Sequence, residues 1–141
     1  MYFSRKCKIT FVCNGATIFS EDDRFTDSEN YPPLNEQGQV EIEKVCEFLK
    51  IRGVKNDNIY TSPATRCVQS ASMISKIFKQ DFNILEDLHP RKCGAFNGLT
   101  FEQIEEKYPD GLERLINNPE VPTPDDAESV SSFIERIKHS I

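Results

Sequence analysis

Short apolar runs alternate with segments of helical period along this chain, and that alternation restricts its fold more than any other feature. Lys8 to Val12 reads as a buried strand that stops in the small-residue turn Cys13-Asn14-Gly15-Ala16. A polar, acidic loop follows from Asn14 to Leu34. Ile42, Val45, Cys46 and Leu49 then recur at helical spacing, so a helix runs roughly from Glu36 to Arg52, capped by Asn35 and ended by Gly53. Asn58 to Thr61 reads as a second strand. Ser62-Pro63 offers an N-cap with proline in the first turn, and Cys67, Ala71, Ile74 and Phe78 line one face of the helix it opens. Phe82 to Leu85 is the third strand. Strand, helix, strand, helix, strand is the pattern of a mostly parallel α/β sheet covered by helices.

The rest of the chain is helical or looped. Glu86 to Gly98 is a loop carrying His89, Pro90, Arg91, Lys92 and Cys93. Thr100 caps a helix to Tyr108, a short one covers Leu112 to Asn117, and the three prolines between Asn118 and Asp126 mark a surface connection. Val130, Phe133, Ile134, Ile137 and Ile141 keep helical spacing to the last residue. At 141 residues the chain is one domain's worth, residues 1–141. A net charge of −6 and a pI near 5.0 disfavour nucleic acid as a partner, and no apolar window approaches a membrane span. The five cysteines show no Cys-x-x-Cys pair and no zinc-ligand spacing, so reduced thiols in the cytoplasm are expected, with no metal and no cofactor.

Arg66 falls in the first turn of the helix after Ser62-Pro63, beside free backbone N–H groups and the positive end of the helix dipole. That combination suits an anion. Here the chain resembles the histidine phosphatase (phosphoglycerate mutase-like) superfamily. The family's Arg-His-Gly-Glu-Thr opening is similar to Cys13-Asn14-Gly15-Ala16-Thr17, and its Pro-Leu-Thr-x-x-Gly to Pro33-Leu34-Asn35-Glu36-Gln37-Gly38. Its Ser-Ser-Pro-x-x-Arg-Ala element resembles Thr61-Ser62-Pro63-Ala64-Thr65-Arg66-Cys67. Leu88-His89-Pro90, Gly94-Ala95-Phe96-Asn97-Gly98-Leu99-Thr100 and Ala127-Glu128-Ser129 follow in family order.

The resemblance implies a three-layer α/β/α sandwich around a mostly parallel sheet, apparently lacking the last strand or strands, with a second active-site histidine beyond Ile141. It also implies vacated chemistry. The family's nucleophilic histidine falls on Asn14, its flanking arginine on Cys13 and its general acid on Pro90. A carboxamide nitrogen has no basic lone pair and proline nothing to titrate. Arg66, Asn14, Thr17 and Ser62 remain as phosphate-binding candidates.

The reading that follows is a catalytically inactive phosphatase-like protein that binds a phosphorylated small molecule or a phosphoprotein. The alternative is an active phosphatase or phosphomutase, either truncated or using a relocated nucleophile, Cys13 or His89. Cys93, near Arg91 and Lys92, reads either as a thiol of lowered pKa or as a small buried loop residue. A third reading is an interaction module working through the acidic loop Glu21 to Glu29. An asparagine engineered into an active enzyme would leave Cys13 and Pro90 unexplained. A sheet with open apolar edges also predicts either a fragment of a longer product or a homo-oligomer joined through the sheet.

Overall fold

The computed structural model describes residues 8–27, 31–55 and 58–140. Its elements are α1 (Ile18–Glu21), α2 (Glu36–Ile51), β1 (Ile59–Thr61), α3 (Thr65–Phe78), β2 (Phe82–Ile84), α4 (Phe101–Lys107), α5 (Gly111–Asn117) and α6 (Val130–Ser140). β1 and β2 pair in parallel, Ile59 with Phe82 and Thr61 with Ile84, and α3 makes the crossover between them. This is the α/β arrangement that the alternation of apolar runs predicts.

α2 and α3 share one core. Leu34, Ile42, Cys46, Leu49 and Ile74 are buried together, and Val45, Ile59, Met73 and Phe78 pack around them. The i, i+3, i+4, i+7 positions read from the sequence are the ones that face inward. A second, aromatic cluster joins the later helices: Phe96 is 1% exposed, and its ring meets Phe25 edge-on at 6.1 Å and Tyr108 at 5.3 Å.

Three expectations need correction. Lys8 to Val12 is not a buried strand: it makes no ladder with any described residue, and Ile9 and Phe11 are 62% and 87% exposed. Strand-forming residues supply propensity, but a strand exists only through a hydrogen-bonded neighbour, and none lies beside this segment among the described residues. The helix after Ser62-Pro63 starts later than predicted, with Ala64 as its N-cap. Ser62 Oγ accepts from the Ala64 N–H at 3.3 Å, a local side-chain turn that competes with earlier helix formation.

The loop from Asn14 to Leu34 is also more ordered than its composition suggests. Thr17 caps α1 in a reciprocal capping box with Ser20 and bridges to Leu34. Asp27, expected on a solvated acidic surface, is 1% exposed and accepts from the Cys93 N–H at 3.0 Å. Ser28, Glu29 and Asn30, the rest of that acidic stretch, lie outside the described residues, as does Ile141 at the end of the last helical run.

One backbone contact fixes where the chain crosses from the turn to α2. Asn35 N donates to Ala16 O at 3.0 Å, and Ala16 N donates to Glu41 Oε2 at 2.9 Å. At this crossing Gly15 and Gly38 meet backbone to backbone: a Cβ on Gly15 would overlap Gly38 O, and one on Gly38 would overlap Ala16 O. Alanine in a helix interior gains about 0.8–1.0 kcal/mol over glycine, whereas overlap with backbone that no rotamer change relieves costs about 1–3 kcal/mol or more. Gly38→Ala is therefore expected to lower the urea midpoint despite its better helix propensity; an unchanged or raised midpoint would mean that the crossing is looser than described.

Candidate functional site

The turn that ends in Gly15 delivers Asn14 to the start of α3. The Asn14 carboxamide is held on both sides: Nδ2 donates to Gly15 O at 2.8 Å, and Oδ1 accepts from the Cys67 thiol at 3.8 Å. Burial pushes the Cys67 thiol up, opposed chiefly by the Arg66 charge. Ser62 also reaches toward this thiol, after its bond to Ala64 N. Asn14, Ser62 and Arg66 are thus brought to one place, at the end of β1 and the first turn of α3.

Arg66 gives that place its character. Its Nη1 is buried and has no hydrogen-bond partner among the described residues. A charged donor withdrawn from water without an acceptor is costly, and the cost disappears when an anion supplies one. The helix N-terminus adds partial positive charge in the same direction.

Tyr31 lies within electrostatic reach of Arg66, Glu86 and Arg136 together. Burial is the first cause raising its phenol and Glu86 the second, while Arg66 pulls it back down. Sequence reasoning passed over this residue, because a tyrosine before Pro32-Pro33 in a polar loop carries no period. Its aromatic character was the only available signal.

The loop after β2 is held by a residue that was also missed. Arg136, on α6, donates from Nε to Glu128 Oε1 at 2.7 Å and from Nη2 to Glu128 Oε2 at 2.8 Å and Pro90 O at 3.2 Å. Its Nη1 donates to His89 O at 2.9 Å and to Asp87 O. All five guanidinium N–H groups are accounted for, and the planar group lies over the Phe133 ring at 4.8 Å. The Arg136 hydrogen bond is the main reason that the Glu128 carboxyl sits below its usual range.

The remaining candidates have other commitments. His89 Nδ1 lies 2.8 Å from Pro90 O; a carbonyl only accepts, so in that bond Nδ1 carries the proton. Thr17 is buried, and its hydroxyl accepts from Ser20 N at 3.2 Å. Cys13 is exposed and free. Of the two readings of Cys93 the lowered pKa is excluded: burial first, then the adjacent Asp27 carboxylate, push its thiol up to about 12. Arg91 opposes this rise but is outweighed by burial and Asp27; its Nε donates to Glu128 O at 2.8 Å.

Arg66 and the start of α3 offer donors of the kind that suit an anion. Among the described residues the Asn14 side chain bonds to Gly15 O and the Cys67 thiol, and proline at position 90 has no titratable group. Among the described residues no three His, Cys, Asp or Glu side chains are placed to hold a metal ion, and no helix is long and apolar enough to cross a membrane. An apolar groove of about 400 Å³ lies elsewhere, between α4 and α5, and none of the candidate residues lines it.

Comparison with known proteins places these features in a family. The sequence model of the histidine phosphatase superfamily (branch 1) matches residues 9–141. A bifunctional protein of Mycobacterium tuberculosis is 27% identical over 131 residues, covering 93% of this chain and 35% of that protein. Phosphoserine phosphatase 1 of Hydrogenobacter thermophilus is 29% identical over 112 residues, covering 76% and 50%. In structure, the alpha-ribazole phosphatase of Shigella flexneri superposes with a TM-score of 0.78 at 16% identity, over 89% of this chain and 61% of that one. The fold is therefore shared, and the chain spans about a third to a half of the length of the curated relatives it matches.

Two measurements follow from the geometry. Arg136→Met should cost about 3 kcal/mol, because it leaves the nearly buried Glu128 carboxylate unpaired. Since the folded-state pKa of Glu128 is depressed, the pair's contribution is complete above the ordinary value of 4.5 and is lost as pH falls through the lower folded value. Urea melts from pH 7 to pH 3 should show that acid loss in the wild type and lack it in Arg136→Met. Iodoacetamide at pH 7.5 should label Cys13 first and leave Cys93 unlabelled until the chain unfolds; early labelling of Cys93 would contradict its contact with Asp27.

Proposed function

The chain belongs to the histidine phosphatase superfamily, and from that premise we propose that it is a catalytically inactive member that binds a phosphorylated small molecule or phosphoprotein. The observation carrying this reading is the buried Nη1 of Arg66, without a hydrogen-bond partner among the described residues, next in the chain to Cys67, whose thiol meets an asparagine that has no basic nitrogen with which to attack phosphorus. Ground-state capture of a phosphoryl group needs charge-assisted donors, which Arg66 and the start of α3 supply. Turnover needs a nucleophile and an acid. Loss of a nucleophile alone costs on the order of a million-fold in rate.

Neither alternative nucleophile is well equipped. Cys13 is exposed, and among the described residues it makes no hydrogen bond to a histidine. His89 sits in the loop secured by Arg136 and bonds to the carbonyl of Pro90. The free thiols Cys13, Cys46, Cys67 and Cys93 support a reducing, cytoplasmic setting for this binding role.

Thermal unfolding with and without inorganic phosphate tests the proposal, alongside hydrolysis of p-nitrophenyl phosphate. Phosphate at about ten times its Kd should add about 1.4 kcal/mol, seen as a rise of a few degrees in Tm that disappears in Arg66→Ala and partly returns in Arg66→Lys. Hydrolysis should stay at background. Turnover that is abolished by Cys13→Ser or His89→Ala would overturn the reading, as would a phosphate shift that survives in Arg66→Ala.

A further inference from the structure

The positive charge that Arg66 brings to the end of β1 has a counterpart at the end of β2. The two strands are parallel, and beyond their last ladder pair, Thr61 with Ile84, the Leu85 N–H donates to Thr61 O at 2.9 Å. Glu86, the next residue, therefore leaves the sheet beside the Ser62-Pro63 turn, at the spacing of neighbouring strands, about 4.8 Å. The carboxyl ends of parallel strands are where α/β sheets receive ligands.

A third segment meets the same place. Leu34 N donates to Gln69 Oε1 at 2.8 Å, and Gln69 stands three residues after Arg66, on the adjoining turn of α3. Tyr31, joined to Leu34 through Pro32-Pro33, is accordingly within electrostatic reach of both Arg66 and Glu86.

The carboxylates around this place are not equivalent. Asp27 is buried and accepts from the Cys93 N–H at 3.0 Å and the Cys93 thiol at 3.4 Å. Asp87 accepts from the Ser140 hydroxyl at 3.2 Å. Glu86 is exposed, and its carboxylate makes no hydrogen bond or ion pair among the described residues. None of the ion pairs among those residues joins it to Arg66. A cation with a bare buried nitrogen and an uncommitted carboxylate thus stand at adjoining strand ends without pairing.

Resting on the anion-binding reading of Arg66, we infer that the ligand is a small phosphorylated amine, its phosphoryl group on Arg66 and the start of α3 and its ammonium on Glu86. A plain phosphate monoester meets Glu86 as a like charge, and a ligand with a second acidic group meets it more strongly. An ammonium one short linker away turns that repulsion into attraction, so the same carboxylate rejects acidic esters and favours zwitterionic ones. In a phosphoprotein the nitrogen at that separation is an uncharged amide. The pairing with Glu86 therefore selects the small molecule of the two ligand classes.

Isothermal titration calorimetry of the whole chain at low salt tests this, with phosphoethanolamine and ethyl phosphate as probes of wild type, Glu86→Gln and Arg66→Ala. The wild type should hold phosphoethanolamine about fivefold tighter than ethyl phosphate, the upper range for an exposed ion pair. Glu86→Gln changes an exposed side chain, so its circular dichroism should match the wild type. It should lose the preference and bind ethyl phosphate at least as tightly as the wild type does. Arg66→Ala should lose both probes. Equal affinity for the two probes in the wild type, or a preference that survives in Glu86→Gln, overturns this inference and leaves the anion-binding reading standing. Binding of neither probe by the wild type, or undiminished binding by Arg66→Ala, overturns that reading and this inference with it.

Discussion

The crossing of Gly15 over Gly38 is the contact on which the remaining geometry depends. It leaves no room for a side chain on either strand of the crossing, and it is reinforced by the Asn35 to Ala16 and Ala16 to Glu41 hydrogen bonds. Because α2 also packs on α3 through Ile42, Cys46 and Ile74, fixing the turn on α2 fixes it relative to α3. Asn14 therefore meets Cys67, in the first turn of α3, rather than a residue farther along the helix. A scaffold held by backbone contacts tolerates exchange of the side chains it displays. The Asn14 side chain takes no part in the crossing itself.

Two arginines divide the electrostatics of the site. Arg136 has every N–H donor occupied, and it locks Asp87, His89 and Pro90 to Glu128 and α6. It is a structural cation with nothing left for a ligand. Arg66 is its opposite, buried at one nitrogen and unpartnered there. Tyr31 stands within reach of both charges. An acceptor placed beside Arg66 Nη1 would satisfy a donor without drawing on the contacts of Arg136.

Much of the fold was legible because it rests on local period. The buried faces of α2 and α3, the caps at Asn35 and Thr100, and the two short strands follow from spacing and capping chemistry alone. Misreadings occurred where a residue's state depends on a neighbour distant in sequence. Asp27 looked like one more acid in a polar loop, but Cys93 lies against it and its side chain is buried. For Cys93 the neighbours Arg91 and Lys92 left an activated thiol and a buried loop residue both open, and burial with that same Asp27 decides by raising its pKa. Ile9 and Phe11 have strand propensity that no described neighbour uses.

The sequence by itself determined the α/β class, the family, and the absence of a basic nitrogen at position 14 and an acid at position 90, since these are properties of residue type and order. Tertiary structure decided which charges are satisfied. Whether a guanidinium has five acceptors or a bare nitrogen, and whether a thiol lies near a cation or a carboxylate, depends on distances across the fold. Hydrogen bonding and desolvation act over a few ångströms of space, whatever the separation along the chain.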